Sequence, residues 1–233
     1  MYEIIEGFLE AARLIVTLDA DVMAIALRSI LISLTATVLG TVIAVPLGAA
    51  IYFGAFPGRR GLINLIQTLY ALPTVVVGLL IFLLISRVGP FGFVRLLFTP
   101  TAMVIAQMVL ILPIMTGLTI SALSGVDPVL RDALRSLGAT RLQFFANVMK
   151  EARFAILAAV AVGFGRAISE VGAAILVGGN IMASSFASST RVLTTAISLE
   201  TSMGNISESI ALGIILLIIA LGVNLVITAI QHR

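Results

Sequence analysis

Five apolar stretches constrain this chain more than anything else in it. They run over roughly 25–53, 62–85, 100–123, 154–178 and 206–230. Each reaches the ~20 residues that an α-helix needs to cross a hydrocarbon core of about 30 Å. The expectation is an all-α, polytopic membrane protein with five transmembrane helices, organised as a single transmembrane domain over 1–233. Composition agrees, since 60% of the 233 residues are hydrophobic and only 11% are charged. That balance is far from a soluble domain.

Composition also excludes chemistry. With no cysteine there is no disulfide and no thiolate metal site. The one histidine, His232, sits beside the C-terminus, so no histidine-based metal cluster or catalytic triad is expected. The formal net charge of +3 is small; it reads as topology bias, not as a nucleic-acid surface. The N-terminal MYEIIEGFLEAAR is acidic where a secretory signal is basic. In residues 1–20, Ile4, Ile5, Phe8, Leu9, Ala12 and Ile15 make a helical stripe, with Glu3, Glu6 and Glu10 on the polar side. This is an interfacial helix, or equally a helix packed across the bundle. If it inserts, there are six spans.

Lysine and arginine set the orientation. Alternating spans put the 54–61 loop, the 124–153 segment and the C-terminus on one side, with Arg59, Arg60, Arg131, Arg135, Arg141, Lys150, Arg153 and Arg233. The other side carries Arg13, Arg28, Arg87, Arg95 and Arg191. The first side is therefore assigned to the cytoplasm, with the C-terminus on it.

Two spans carry similar proline marks: the second at Pro73, followed by Thr74, and the third at Pro113. Proline inside a span frees backbone carbonyls and kinks the helix; the bend either serves packing or lines a pathway. Gly40, Ala44, Gly48, Gly78, Gly163 and Gly213 are expected at close helix contacts.

The longest charged break is 124–153. Asp127 can cap a helix that Pro128 begins. Leu130, Leu134 and Leu137 then share one face, with Arg131, Asp132 and Arg135 off it and Ala133 between. Gly138 stops the helix, and Thr140 with Gln143 opens a second one as a capping box. A short amphipathic helix between spans suits docking into a groove of another protein. The chain has no G-x-x-x-x-G-K-[ST] run to cradle ATP phosphates; if it works in an ATP-driven process, the ATPase is another polypeptide.

A second constellation, Gly165-Arg166-Ala167-Ile168-Ser169-Glu170-Val171-Gly172-Ala173, lies inside the fourth span. Two charges there cost roughly 2.5–3.5 kcal/mol each on insertion scales. At i and i+4 Arg166 and Glu170 can pair, either to fix packing or to line a pathway. From Arg153, Arg166 is ~20 Å along a helix. The outer loop, 179–205, is too polar to span and too long for a tight turn; a short gating helix or a solvated connector would fit it.

The run Asp132-Ala133-Leu134-Arg135-Ser136-Leu137-Gly138, then nine residues and Val148, resembles the EAA motif of ABC-transporter permease subunits. Asp stands for the family's Glu, Leu134 for its second Ala, and Lys150-Glu151 for its closing Leu-Pro. Ala71-Leu72-Pro73-Thr74-Val75-Val76-Val77-Gly78, Glu170-Val171-Gly172-Ala173-Ala174 and Gly178-Gly179-Asn180-Ile181 resemble the molybdate, tungstate and sulfate permease group. Thr190 to Thr201 is most similar to tungstate permeases, with a serine-rich stretch, 184–189, upstream.

The resemblance implies a subunit in the plasma membrane of a prokaryote that imports a tetrahedral oxyanion, tungstate first and molybdate next. It implies Leu130, Arg131, Asp132, Ala133, Leu134, Arg135, Leu137 and Gly138 as an ATPase-coupling helix. It further implies a second copy of the chain, cytoplasmic ATPase subunits that hold ATP and magnesium, and an extracytoplasmic oxyanion-binding protein. No catalytic residue, metal or cofactor is expected in this chain. Pro73, Thr74, Arg166, Ser169 and Glu170 are the candidate pathway residues. The alternative is a self-contained secondary transporter or ion channel using Arg166 and Glu170; against it, no inverted repeat of halves is visible.

Overall fold

The structure is a computed structural model that describes residues 2–183 and 185–231. Ser184, His232 and Arg233, used above for composition and charge, lie outside the described residues. All regular elements among the described residues are helical. The α-helices are α1 (Tyr2–Val16), α2 (Ala20–Phe53), α3 (Arg59–Thr68), α4 (Thr74–Ile85), α5 (Pro100–Ser124), α6 (Pro128–Ser136), α7 (Arg141–Glu151), α8 (Arg153–Ile168), α9 (Gly172–Gly178), α10 (Leu193–Met203) and α11 (Ile206–Gln231).

Three of them, α2, α5 and the apolar part of α11, are long and apolar enough to cross a membrane. Two further crossings are broken. The second expected span divides into α3 and α4, which meet at 97°, and the fourth into α8 and α9, which meet at 58°. The count is five when each bent pair is taken as one span. At ~1.5 Å per residue, α4 is about 18 Å long and α9 about 10 Å, so neither crosses a ~30 Å core unaided.

The central contact is α2 along α5. Small residues let the two backbones approach, as packing without a hydrophobic driving force requires. Ala44 is fully buried. A Cβ at Gly48 would stand 2.8 Å from the Thr116 carbonyl oxygen, and one at Gly40 3.1 Å from Ile111. Gly163 meets Met115 in the same way, whereas Gly213 faces open space and makes no such contact. Pro113 does not break α5, which runs without interruption over 25 residues. Its neighbours Ile111 and Met115 are fully buried against Ala44 and Ala167, and that packing holds the helix through the missing hydrogen bond.

One core cluster joins α2, α4, α5 and α9 through Ile32, Val77, Ile81, Met103, Ala106, Ala173 and Val177. Another, at the far end of α2, joins Ala49, Leu123, Val126, Val148 and Ile156. α1 packs lengthwise on α11, where a Cβ at Gly7 would lie 2.7 Å from Ile210. Leu14 and Ile15 join the cluster of Val22, Leu193 and Leu212. The N-terminal helix is thus packed on the bundle, with Phe8 and Leu9 exposed on its other side. Rows of exposed Leu and Val on α2, α4 and α11 form the apolar surface that a bilayer covers.

Candidate functional site

The two broken spans meet at their breaks. The chain entering α4 turns through a single 3-10 turn, Leu69–Ala71, into Leu72 (φ −56°, ψ 125°) and Pro73. A residue before proline is pushed out of the α region, so the bend falls where the sequence disfavours helix. On the other span, α8 ends at Ile168 and α9 starts at Gly172. A Cβ on Gly172 would sit 2.8 Å from the Val75 side chain and 3.1 Å from Thr74 Oγ1; one on Gly78 would sit 2.6 Å from Ala173 Cα. Only glycine allows this approach of the first turns of α4 and α9.

Glu170 organises the second break. Its carboxylate accepts a hydrogen bond from Arg166 Nη1 at 3.1 Å and another from the Ala173 backbone N–H at 3.0 Å. The first is the expected ion pair. The second satisfies one of the orphan donors at the start of α9, where a negative charge is favourable. Its own carbonyl accepts from Thr194 Oγ1 at 2.8 Å, tying the break to α10. Glu170 is buried, with 2% exposure.

The sequence spacing suggested two charges on one continuous helix. The structure instead places Arg166 in the last turn of α8 and Glu170 beyond its end. The Arg166 side chain is 35% exposed. Ser169, whose hydroxyl donates to the Arg166 carbonyl at 3.2 Å, and Pro73 are exposed as well. Thr74 thus lies against Gly172, two positions beyond Glu170, and Arg166, Ser169 and Glu170 are joined by hydrogen bonds with the carboxylate buried.

The charged segment forms α6 and α7. Asp127 caps α6 by accepting from Val129 N–H at 2.8 Å. Gly138 adopts φ +73° at the turn, a conformation that costs other residues about 1–3 kcal/mol. Thr140 and Gln143 make both bonds of the capping box, at 2.9 and 3.3 Å. The leucine stripe needs correction. Leu130 and Leu134 are half-buried against Leu123, Val126 and Val148, so they anchor α6 to its own chain. Leu137 lies past the helix end and is 84% exposed. Arg131 anchors too, donating from Nε to the Val126 carbonyl at 3.0 Å. The outward face is Val129, Asp132, Ala133, Arg135, Ser136 and Leu137, followed by Gly138.

The outer loop is not a solvated connector. Thr190 is fully buried and donates to the Gly178 carbonyl at 2.5 Å. α10 forms, with its Leu193 N–H donating to Ser29 Oγ at 2.8 Å. Arg28 is a functional candidate that sequence reasoning counted only as a loop charge. It is 6% exposed inside α2 and donates to the Phe186 and Arg191 carbonyls at 3.4 and 2.9 Å, so it straps the loop to a span. An arginine within ADVMAIALRSILIS was the available signal. A cavity of about 740 Å³ lies beside this loop, lined by Glu10, Asp19, Asp21, Arg191, Glu200 and Glu208. Among the described residues, no group of three or more His, Cys, Asp or Glu side chains could hold a metal ion.

Comparison with known proteins fits this architecture. Residues 36–233 match the family described as binding-protein-dependent transport system inner membrane component. The chain is 39% identical over 232 residues to the tungstate uptake system permease protein TupB of Peptoclostridium acidaminophilum, covering all of both chains. It is 43% identical over 189 residues to a probable anion ABC transporter permease protein of Haloferax volcanii, covering 81% of this chain and 82% of that one. In fold it is similar to a chain of a bacterial alginate ABC transporter crystallised with a periplasmic protein bound to alginate pentasaccharide. The TM-score there is 0.69 at 18% identity, covering 91% of this chain and 78% of that chain. The chain therefore belongs to the binding-protein-dependent inner membrane component family: it is an ABC-type permease for anion import, a multi-pass membrane transporter subunit and not an enzyme.

Proposed function

We propose that this permease carries tungstate, with molybdate as the next substrate, through a pathway formed between two copies of the chain. The observation that carries the proposal is Arg166, a charged side chain left 35% exposed about 20 Å along α8. A charge at that depth costs several kcal/mol against lipid. It needs water or a partner surface, and a two-fold interface lined by both copies supplies both. Ser169 and the start of α4 at Pro73 and Thr74 belong to the same wall. The full-length match to a tungstate uptake permease supports the choice of anion.

Energy comes from separate ATPase subunits that dock on the outward face of α6, around Asp132, Ala133, Arg135, Leu137 and Gly138. Leu130, Arg131 and Leu134 transmit the motion to the bundle. A binding protein on the opposite side delivers the anion near 179–205, and the C-terminus is cytoplasmic. Transport proceeds by alternating access: closure of the ATPases opens the pathway outward, and hydrolysis returns it inward. The experiment is tungstate uptake into proteoliposomes holding the permease, its ATPase and its binding protein, read by elemental mass spectrometry. Uptake is expected only with ATP and binding protein together, and Arg166→Ala should abolish it. Gradient-driven uptake by the permease alone would refute the proposal in favour of a self-contained transporter or channel.

A further inference from the structure

Three arginines from two helices open on one cavity of about 350 Å³ at the α6 end of the bundle. Arg59 comes from α3, and Arg131 and Arg135 from α6; Tyr52, Phe53 and Phe144 complete the lining. The rings connect the outer two cations. The Arg59 guanidinium stands 5.8 Å from the Tyr52 ring centre, and that of Arg135 stands 5.4 Å from the centre of Phe144. Between them Tyr52 meets Phe53 edge-on at 4.8 Å, and Phe53 meets Phe144 at 6.3 Å.

Two of these cations are held rigidly by backbone. Arg59 donates from Nε and Nη2 to the Ile51 and Tyr52 carbonyls at 2.8 and 2.9 Å. Arg131 donates from Nε to the Val126 carbonyl at 3.0 Å and from Nη2 to that of Ser124 at 2.6 Å. These bonds satisfy carbonyls at the ends of α2 and α5 and leave Nη1 of each arginine without a hydrogen bond within the described residues. Capping does not account for Arg135, which binds no carbonyl. Among the described residues neither Arg59 nor Arg131 has a carboxylate at ion-pair distance; Arg135 has Asp132, at 3.3 Å with both side chains exposed. Three like charges around one cavity repel unless an anion joins them.

We propose that this cavity binds a phosphate-type oxyanion, clamped by Arg59, Arg131 and Arg135 against the aromatic wall. Guanidinium donors fit such an anion in charge and geometry. The source is either the phosphodiester of an anionic lipid or free phosphate, which present the same oxygens to the site. The position beside the end of a spanning helix, among aromatic rings, suits a headgroup. Occupancy links the α2–α3 elbow to α6. The site shares Arg131 and Arg135 with the ATPase-coupling helix proposed above, and is independent of which anion is transported.

The test uses the full-length chain in zwitterionic micelles and two probes. Phosphatidylglycerol is followed by native mass spectrometry, and inorganic phosphate by calorimetry. One equivalent of either probe is expected to bind. Arg59→Gln and Arg135→Gln should each weaken it about tenfold or more, the size of one charge-assisted hydrogen bond, while Arg141→Gln, an exposed cation outside the cavity, should not. Arg135 holds no carbonyl, so its variant keeps the fold, and Arg59→Lys, which keeps the charge, should restore part of the affinity. Lipid binding identifies the headgroup as source, and phosphate binding alone identifies the free anion. Failure of both probes to bind, or equal binding by all variants, overturns the site.

Discussion

Replacing Glu170 isolates what the broken fourth span depends on. The carboxylate is 2% exposed and holds two groups, Arg166 Nη1 at 3.1 Å and the Ala173 N–H at 3.0 Å. Removing one member of a buried ion pair costs about 3–5 kcal/mol. The Arg166 side chain is 35% exposed, so water reaches the orphaned cation and roughly halves that cost. Glu170→Gln, which keeps the shape and one acceptor, is therefore expected to destabilise by about 2 kcal/mol. Glu170→Ala also leaves the Ala173 donor unpaired, adding about 1 kcal/mol. At 2–4 °C per kcal/mol for a chain of this size, the two variants should lower Tm by about 4–8 and 6–12 °C. Reversible unfolding in mixed micelles gives the energies, and Arg166→Gln alone and combined with Glu170→Gln completes a double-mutant cycle. A coupling below about 0.5 kcal/mol, the range of independent sites, would refute the pair as the element that sets the break.

The remaining outcomes follow from the packing. Leu134→Glu should destabilise the chain itself by about 2 kcal/mol or more, because Leu134 packs under α6, whereas Leu137→Glu, at an exposed site, should leave Tm unchanged and remove only ATPase co-purification. Gly78→Ala, whose Cβ would lie 2.6 Å from Ala173 Cα, should cost about 1–3 kcal/mol and reduce uptake. Gly213→Ala, with nothing within 4 Å, should be neutral or stabilise by about 0.4–1 kcal/mol, as thermal unfolding will read. Arg28→Gln should release the 179–192 loop by removing its bonds to the Phe186 and Arg191 carbonyls; hydrogen exchange there should rise while the α2–α5 core stays protected.

How far a sequence reveals this fold depends on whether a local signal decides the conformation alone. Asp127, Gly138 and the Thr140–Gln143 box do decide it, because each acts through bonds or dihedrals within a few residues. Proline does not. Pro73 and Pro113 look alike in sequence, each inside an apolar run, yet one marks a 97° bend and the other sits in an unbroken helix. What separates them is tertiary. Around Pro113 the helix is pressed along α2, with Ile111 and Met115 fully buried, so leaving the helix would open the core. Around Pro73 the chain is exposed on both sides, at Leu72 and Val75, and nothing opposes the extended conformation that proline imposes on its predecessor.

The break at Glu170 was hidden for a different reason. It contains no proline, and at helical spacing Arg166 and Glu170 satisfy the i, i+4 rule that suggests continuity. The side chain that seemed to support one helix instead supplies the acceptor that lets a second one start, through Ala173 N–H. A charge within an apolar span is costly in either arrangement. It is retained here where the backbone has left the helix and has donors of its own to satisfy. In this span the acidic residue two positions before a glycine does both: it accepts from the first turn of a half-helix and is half of an ion pair. The partner arginine is left half-exposed on the preceding turn, where water offsets part of the cost of its charge.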